Sequence, residues 1–127
     1  MARKEEKPAE STTGVVNFEE LLARVENDWE LLRDLAGIVR EDFPRNEARL
    51  REAIAAKDMG RTSEAAHSLK GMLANLSASG GAAAASELEQ MARSGKETEL
   101  AEGLAKFEKE TKGLLAELDA HLAGVHK

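Results

Sequence analysis

One stretch of this chain carries side chains whose types and spacing could do chemistry: Glu64-Ala65-Ala66-His67-Ser68-Leu69-Lys70-Gly71. An imidazole can serve as nucleophile or proton carrier near neutral pH, where other side chains cannot without help. On a helix of 3.6 residues per turn, Gly60, Ser63, Glu64, His67, Lys70, Gly71, Ala74 and Ala78 share one face, while Leu69 and Leu73 point the other way. The His67 face is therefore small and polar, with no bulky group over the ring on its C-terminal side. Lys70, at i+3, lies beside the ring. Its ammonium can pair with phosphate oxygens on a modified imidazole, and it disfavours protonation of the ring itself. Gly71, at i+4, costs about 1 kcal/mol relative to Ala in a helix interior, a cost that reads as clearance for an approaching protein. Spacing alone leaves a second reading open, because a single histidine on a helix is more often solvated or structural than reactive.

No other group competes. His121 and His126 lie near the C-terminal end and read as solvated surface residues; three histidines so dispersed match no zinc spacing. Glu41 and Asp42 are adjacent, so they diverge on a helix and read as solvated, as do Glu87 and Glu89. Trp29 reads as a packing anchor. There is no P-loop, Gly-rich kinase loop or acidic metal pocket. An enzyme using His67 as general base would lack an acid or nucleophile at a suitable spacing.

The 127 residues suit one domain with a single modest core. Leu, Ala, Glu, Lys and Arg dominate and β-branched residues are few, which points to an all-α domain. Aromatics at 3% and a net charge of −6 argue against nucleobase stacking and against a nucleic-acid or membrane surface. With no cysteine there is no disulfide or thiolate site, and no apolar run resembles a signal or a membrane span. The expected setting is cytoplasmic.

Residues 1–16 mix charge, Pro, Ser and Thr without periodicity and read as a flexible tail or linker, with the domain at 17–127. Asn17 with Glu20 forms a capping-box pattern that opens a short helix over about 18–26. Asp28 caps a long helix, kinked at Pro44, that runs to about Lys57. A third helix covers about 59–77. Ala78-Ser79-Gly80-Gly81 then supplies a turn, a fourth helix spans about 82–93, and a fifth runs unbroken over about 97–123. The expected fold is an antiparallel up-down four-helix bundle with a short additional N-terminal helix. A dimeric coiled coil is the weaker alternative.

Ala66-His67-Ser68-Leu69-Lys70-Gly71, followed by Ala74-Asn75-Leu76, resembles the signature of histidine-containing phosphotransfer (HPt) domains. The similarity extends to Leu21-Leu22, Arg24-Val25, Asp28, Glu30-Leu31-Leu32, Pro44, Leu88-Glu89 and Ala92-Arg93, and so covers about residues 18–122. The resemblance implies that His67 is the phosphorylated nucleophile, Lys70 the phosphate-side cation and Gly71 the docking clearance. Ser63, Glu64, Ser68 and Ala74 would belong to the docking face. It further implies a phosphorelay intermediate that takes a phosphoryl group from a receiver-domain aspartate and passes it to another receiver. Such a module is a phosphocarrier without an ATP site of its own; it needs no cofactor, the Mg²⁺ belonging to the receiver. Its partners are response-regulator receiver domains, and a hybrid histidine kinase where one exists; a monomer is expected. Two other roles fit the same residues: the HPt region of a hybrid or chemotaxis-type kinase, and a helical adaptor that is never phosphorylated. The chain departs from the family pattern at Ser77, where glycine is usual, and at Gly81 and Ala84, where leucines are common.

Overall fold

The computed structural model describes residues 15–125. Within them the chain forms α1 (Phe18–Arg24), α2 (Trp29–Ala55), α3 (Met59–Asn75), α4 (Ser79–Arg93), a 3₁₀ turn (Glu97–Glu99), α5 (Leu100–Thr111) and α6 (Leu114–Val125). The described residues contain no strand, so the fold is all-α as composition predicts.

The first three helices start on side-chain caps that satisfy otherwise orphaned amides. Asn17 Oδ1 accepts from the Glu20 amide at 3.1 Å, and Asp28 Oδ1 from that of Leu31 at 3.0 Å. Asp58 does the same for Arg61 at 3.0 Å. The second helix is continuous through Pro44.

Four helices end alike. After α3, the Ser77 amide donates to the Ala74 carbonyl at 3.1 Å and the Ala78 amide to that of Leu73 at 2.9 Å, with Ser77 in the left-handed region at φ 60. The same paired bonds close α1 around Glu26, α2 around Lys57 and α4 around Gly95. This is the Schellman arrangement, whose left-handed residue is usually glycine. Here only one of the four is.

Two expectations about helix boundaries are corrected. The corner between α3 and α4 is built at Ser77, and Gly80 and Gly81 lie inside the first turn of α4. Gly81 is needed for close approach: a Cβ there would stand 2.9 Å from Thr111 Cγ2 and 3.2 Å from Leu73 Cδ1. The bulk a leucine would bring has no room, which accounts for that departure from the family pattern. The expected fifth helix is two helices. Gly113, at φ 83, breaks it between Thr111 and Leu114.

Packing brings α3 against α2 and α4, α4 against α5, and both α5 and α6 against α2, a closed circuit around one core. Leu32, Val39 and Leu50 of α2, Leu69 and Leu73 of α3, Leu88 of α4, Phe107 of α5 and Leu118 of α6 are all buried in it. Ala84 and Ala85, also buried, keep α4 close to α3. The last two residues of the segment read as a tail are anchored: Val16 is buried, and the Val15 and Val16 amides donate to Glu117 at 3.0 and 2.7 Å. Residues 1–14 lie outside the described residues. His121, read as solvated, is half-buried and stacked on Phe18 with centroids 4.0 Å apart. Trp29 packs against the same Phe18 at 5.9 Å, as an anchor should, and His126 falls outside the described residues.

Ser77 pays twice for its position: a left-handed backbone that L-residues adopt at a cost of about 1 kcal/mol, and a buried Oγ with no hydrogen-bond partner. Ser77→Gly removes both and loses only some unfolded-state entropy. The expected result is a gain of about 1 kcal/mol, seen as a rise of about 4 °C in thermal midpoint. A lowered midpoint would refute this account of the corner.

Candidate functional site

His67 sits mid-way along α3, whose inner face is pinned by Ala65, Ala66, Leu69 and Leu73. That register turns the imidazole outward, and its side chain is 64% exposed. Ser68, Glu64, Gly71 and Ala74 surround it on the exposed surface, with Ser63 half-buried toward α4. Ala78, placed on the same face by helical spacing, is instead buried as the N-cap residue of α4. Gly71 has open space around it, since an added Cβ would meet nothing within 4 Å. No internal neighbour accounts for a glycine there.

The group that organises the site is one the spacing argument set aside. Glu89 of α4, read as solvated, has a side chain only 3% exposed, and three groups converge on it. His67 Nδ1 lies 3.0 Å from Oε2 in a hydrogen bond. Arg93 Nη2 forms an ion pair with the same oxygen at 3.0 Å. Lys70 Nζ forms another with Oε1 at 2.9 Å, without the alignment of a hydrogen bond. Lys70 and the imidazole therefore meet through the carboxylate they share. The sequence held a signal for this. Ala85, Leu88 and Ala92 form the buried stripe of α4, and Glu89, four after Ala85 and three before Ala92, falls on it.

Contact with Lys70 above all holds the Glu89 carboxyl below its ordinary pKa; burial opposes this, and the His67 hydrogen bond and the Arg93 charge add to the lowering. Glu89 is thus an anion at neutral pH and can only accept. The proton of the shared hydrogen bond must reside on His67 Nδ1, which fixes the neutral tautomer and leaves the lone pair of Nε2 facing outward. Nε2 has no partner among the described residues. Next to it is a shallow depression of about 310 Å³ lined by Ser63, Glu64, His67, Ser68 and Arg93. A smaller hollow of about 170 Å³ continues toward α2, between Asn46 and Arg49 on one side and Arg61, Glu64 and Ser68 on the other. No group of three or more candidate metal ligands occurs among the described residues.

A carboxyl whose folded pKa is lowered contributes stability above its unfolded value, near 4.5, and that contribution is lost as pH falls through the folded pKa. Glu89→Gln should therefore be less stable than wild type at pH 7 but converge with it in acid. Urea midpoints measured between pH 3 and 7 check this; a constant difference across that range would exclude the linkage.

Searches among curated proteins and among solved structures find no match. The family model for the Hpt domain matches residues 17–124, a span that includes α1 through nearly all of α6 and the whole His67 cluster. The chain belongs to the Hpt domain family.

Proposed function

We propose that this chain is a phosphorelay intermediate in which His67 takes a phosphoryl group from a receiver-domain aspartate and passes it to a second receiver. Membership of the Hpt family carries phosphotransfer in two-component signalling. The observation that supports the specific role is an outward imidazole whose Nδ1 is tied to a buried carboxylate, leaving Nε2 as an exposed nucleophile. We read the closed circuit of helices as an antiparallel bundle that serves to hold α3 and α4 rigid beneath this ring.

In the transfer, the Nε2 lone pair forms the N–P bond as the bond from the aspartyl oxygen to phosphorus breaks, and that electron pair returns to the receiver's carboxylate. Nδ1 keeps its proton, so the ring becomes a phosphoimidazolium cation with Glu89 directly against it. The carboxylate both sets the tautomer and stabilises the charge that develops, and Lys70 is the cation assigned to the phosphoryl oxygens. Return of the group to a second aspartate reverses each movement. The Mg²⁺ of the reaction is supplied by the receiver, and the chain acts as carrier without ATP chemistry, as a cytoplasmic monomer.

Docking falls on α2 and α3. Gly71 leaves the surface beyond His67 low, and along α2 the spacing of Leu31, Ile38, Asp42, Arg45 and Arg49 follows one face. Leu31 and Ile38 are exposed large apolar residues, 49% and 56% accessible, on the side of α2 that borders Ser68 and Glu64. A transient partner needs only a modest patch of this kind.

Incubation with a phosphorylated receiver should place acid-labile, base-stable label on the wild type and none on His67→Gln; undiminished label on the variant would sink the assignment. Lys70→Ala should slow transfer roughly tenfold to a hundredfold with the fold intact. Gly71→Ala should stabilise the helix by about 1 kcal/mol, whereas Gly71→Leu should impair receiver binding, measured by calorimetry or stopped-flow transfer. A Gly71→Leu variant that binds and transfers normally would remove the clearance argument.

A further inference from the structure

Two carboxylates flank His67, and only one of them is met by cations. Glu89, beneath the ring, has Lys70 at 2.9 Å and Arg93 at 3.0 Å as well as the imidazole itself. Glu64, one turn earlier on α3, is exposed and lines both hollows beside the ring. Three guanidinium groups line the same hollows, Arg93 in one and Arg49 and Arg61 in the other. None of them closes on it. Arg93 is committed to Glu89 and reaches toward Ser63, and Arg49 toward Asn46. Among the described residues the Glu64 carboxylate has neither a hydrogen bond nor an ion pair.

An anion left unpaired here acts on whatever charge is placed on Nε2. Residues three apart on a helix have Cβ atoms about 5–6 Å apart, and Glu64 and His67 line one depression together. A carboxylate in solvent is anionic at neutral pH, and a phosphoryl group carries up to two negative charges. Their separation falls within the screening length of about 8 Å at physiological ionic strength, so the repulsion is felt. Solvent keeps it modest for each charge, and the second phosphoryl charge doubles it. Glu89 cannot act in this way, because its charge is met by Lys70 and Arg93 and it faces Nδ1. The charged groups around the ring are thus Glu64, Lys70 and Arg61 on α3, Glu89 and Arg93 on α4, and Arg49 on α2. Of these, Glu64 is the anion on the open side.

Resting on the assignment of His67 as acceptor, we propose that Glu64 weakens the hold of His67 on its phosphoryl group by charge repulsion, so that the group is passed on rather than stored. The exposed carboxylate gives the carrier a built-in bias toward release.

The test labels the full chain with phosphoramidate. The Nε2 lone pair forms the new N–P bond as the donor's P–N bond breaks, and that electron pair leaves with the nitrogen as ammonia. The phosphohistidine is followed by ³¹P NMR against pH. A neighbouring anion disfavours the dianion, so the wild-type phosphoryl group should take its second proton at higher pH than in Glu64→Gln, by roughly 0.3 of a unit or more at low salt. Glu64→Asp, which keeps the charge, should recover most of that shift, and Glu64→Lys should move the titration beyond Glu64→Gln. In 1 M salt, where the screening length is about 3 Å, the differences should collapse. Shared at equilibrium with a receiver and Mg²⁺, the label should lie several-fold further toward the chain in Glu64→Gln. Docking contacts change rates and leave this ratio alone, so it separates charge repulsion from a role in receiver binding. Coincident ³¹P titrations of wild type and Glu64→Gln at low salt overturn the proposal, as does a difference that salt leaves unchanged. Should Glu64→Gln fail to fold, Glu64→Lys titrating as wild type overturns it equally. Label that persists in His67→Gln would instead refute the acceptor assignment, so the two failures are separable.

Discussion

A carboxylate taken out of water must be paired, and the site of this protein is arranged around that requirement. Burial of Glu89 costs several kcal/mol unless charge and hydrogen bonds replace its hydration. The replacements come from two helices: His67 and Lys70 on α3, and Arg93 one turn along α4. Their approach depends on how closely the helices pack, which small buried residues permit at Ala84 and Ala85, and at Gly81 where Thr111 and Leu73 leave no space for a side chain. Core geometry and site electrostatics are therefore one constraint. Moving α4 outward would strand a buried anion and free the imidazole from its tautomer together.

What could be read from residues alone divides along physical lines. The His67 face was legible because helical spacing is local: the residues that fix which way α3 turns are Leu69 and Leu73, next to the ring in sequence. The caps at Asn17 and Asp28 were legible for the same reason. Glu89 was misread because two of its three partners, His67 and Lys70, lie on another helix, the nearer of them 19 residues away, and a charged side chain in an alanine-rich helix looks like surface until its partners are placed. The stripe through Ala85, Leu88 and Ala92 is the one clue that precedes the fold.

Helix ends show a different limit. A glycine pair at 80–81 suggests a corner, yet the chain turns at Ser77, and likewise at Glu26 and Lys57, with no glycine at any of the three. Each left-handed residue is held by two backbone bonds of its own turn, and tertiary packing supplies what propensity does not. Gly81 answers a question of distance between helices, which no single-helix pattern poses. The break at Gly113 is hidden for a related reason: apolar residues recur on both sides of it, so periodicity alone joins α5 to α6.

The clamp of Glu117 on the Val15 and Val16 amides joins groups 102 and 101 positions apart. Most other packing is between helices adjacent in the chain, α2 with α3, α3 with α4, α4 with α5. Closing a short loop costs less entropy than closing a long one, so contacts between sequence neighbours form early and distant ones late. The order of assembly follows. The α3–α4 pair, and with it the histidine and its carboxylate, can come together before α6 docks on α2 and Glu117 closes on the Val15 and Val16 amides. The proposed acceptor thus sits among contacts that are local in sequence, whereas the Glu117 clamp depends on closing a far longer loop.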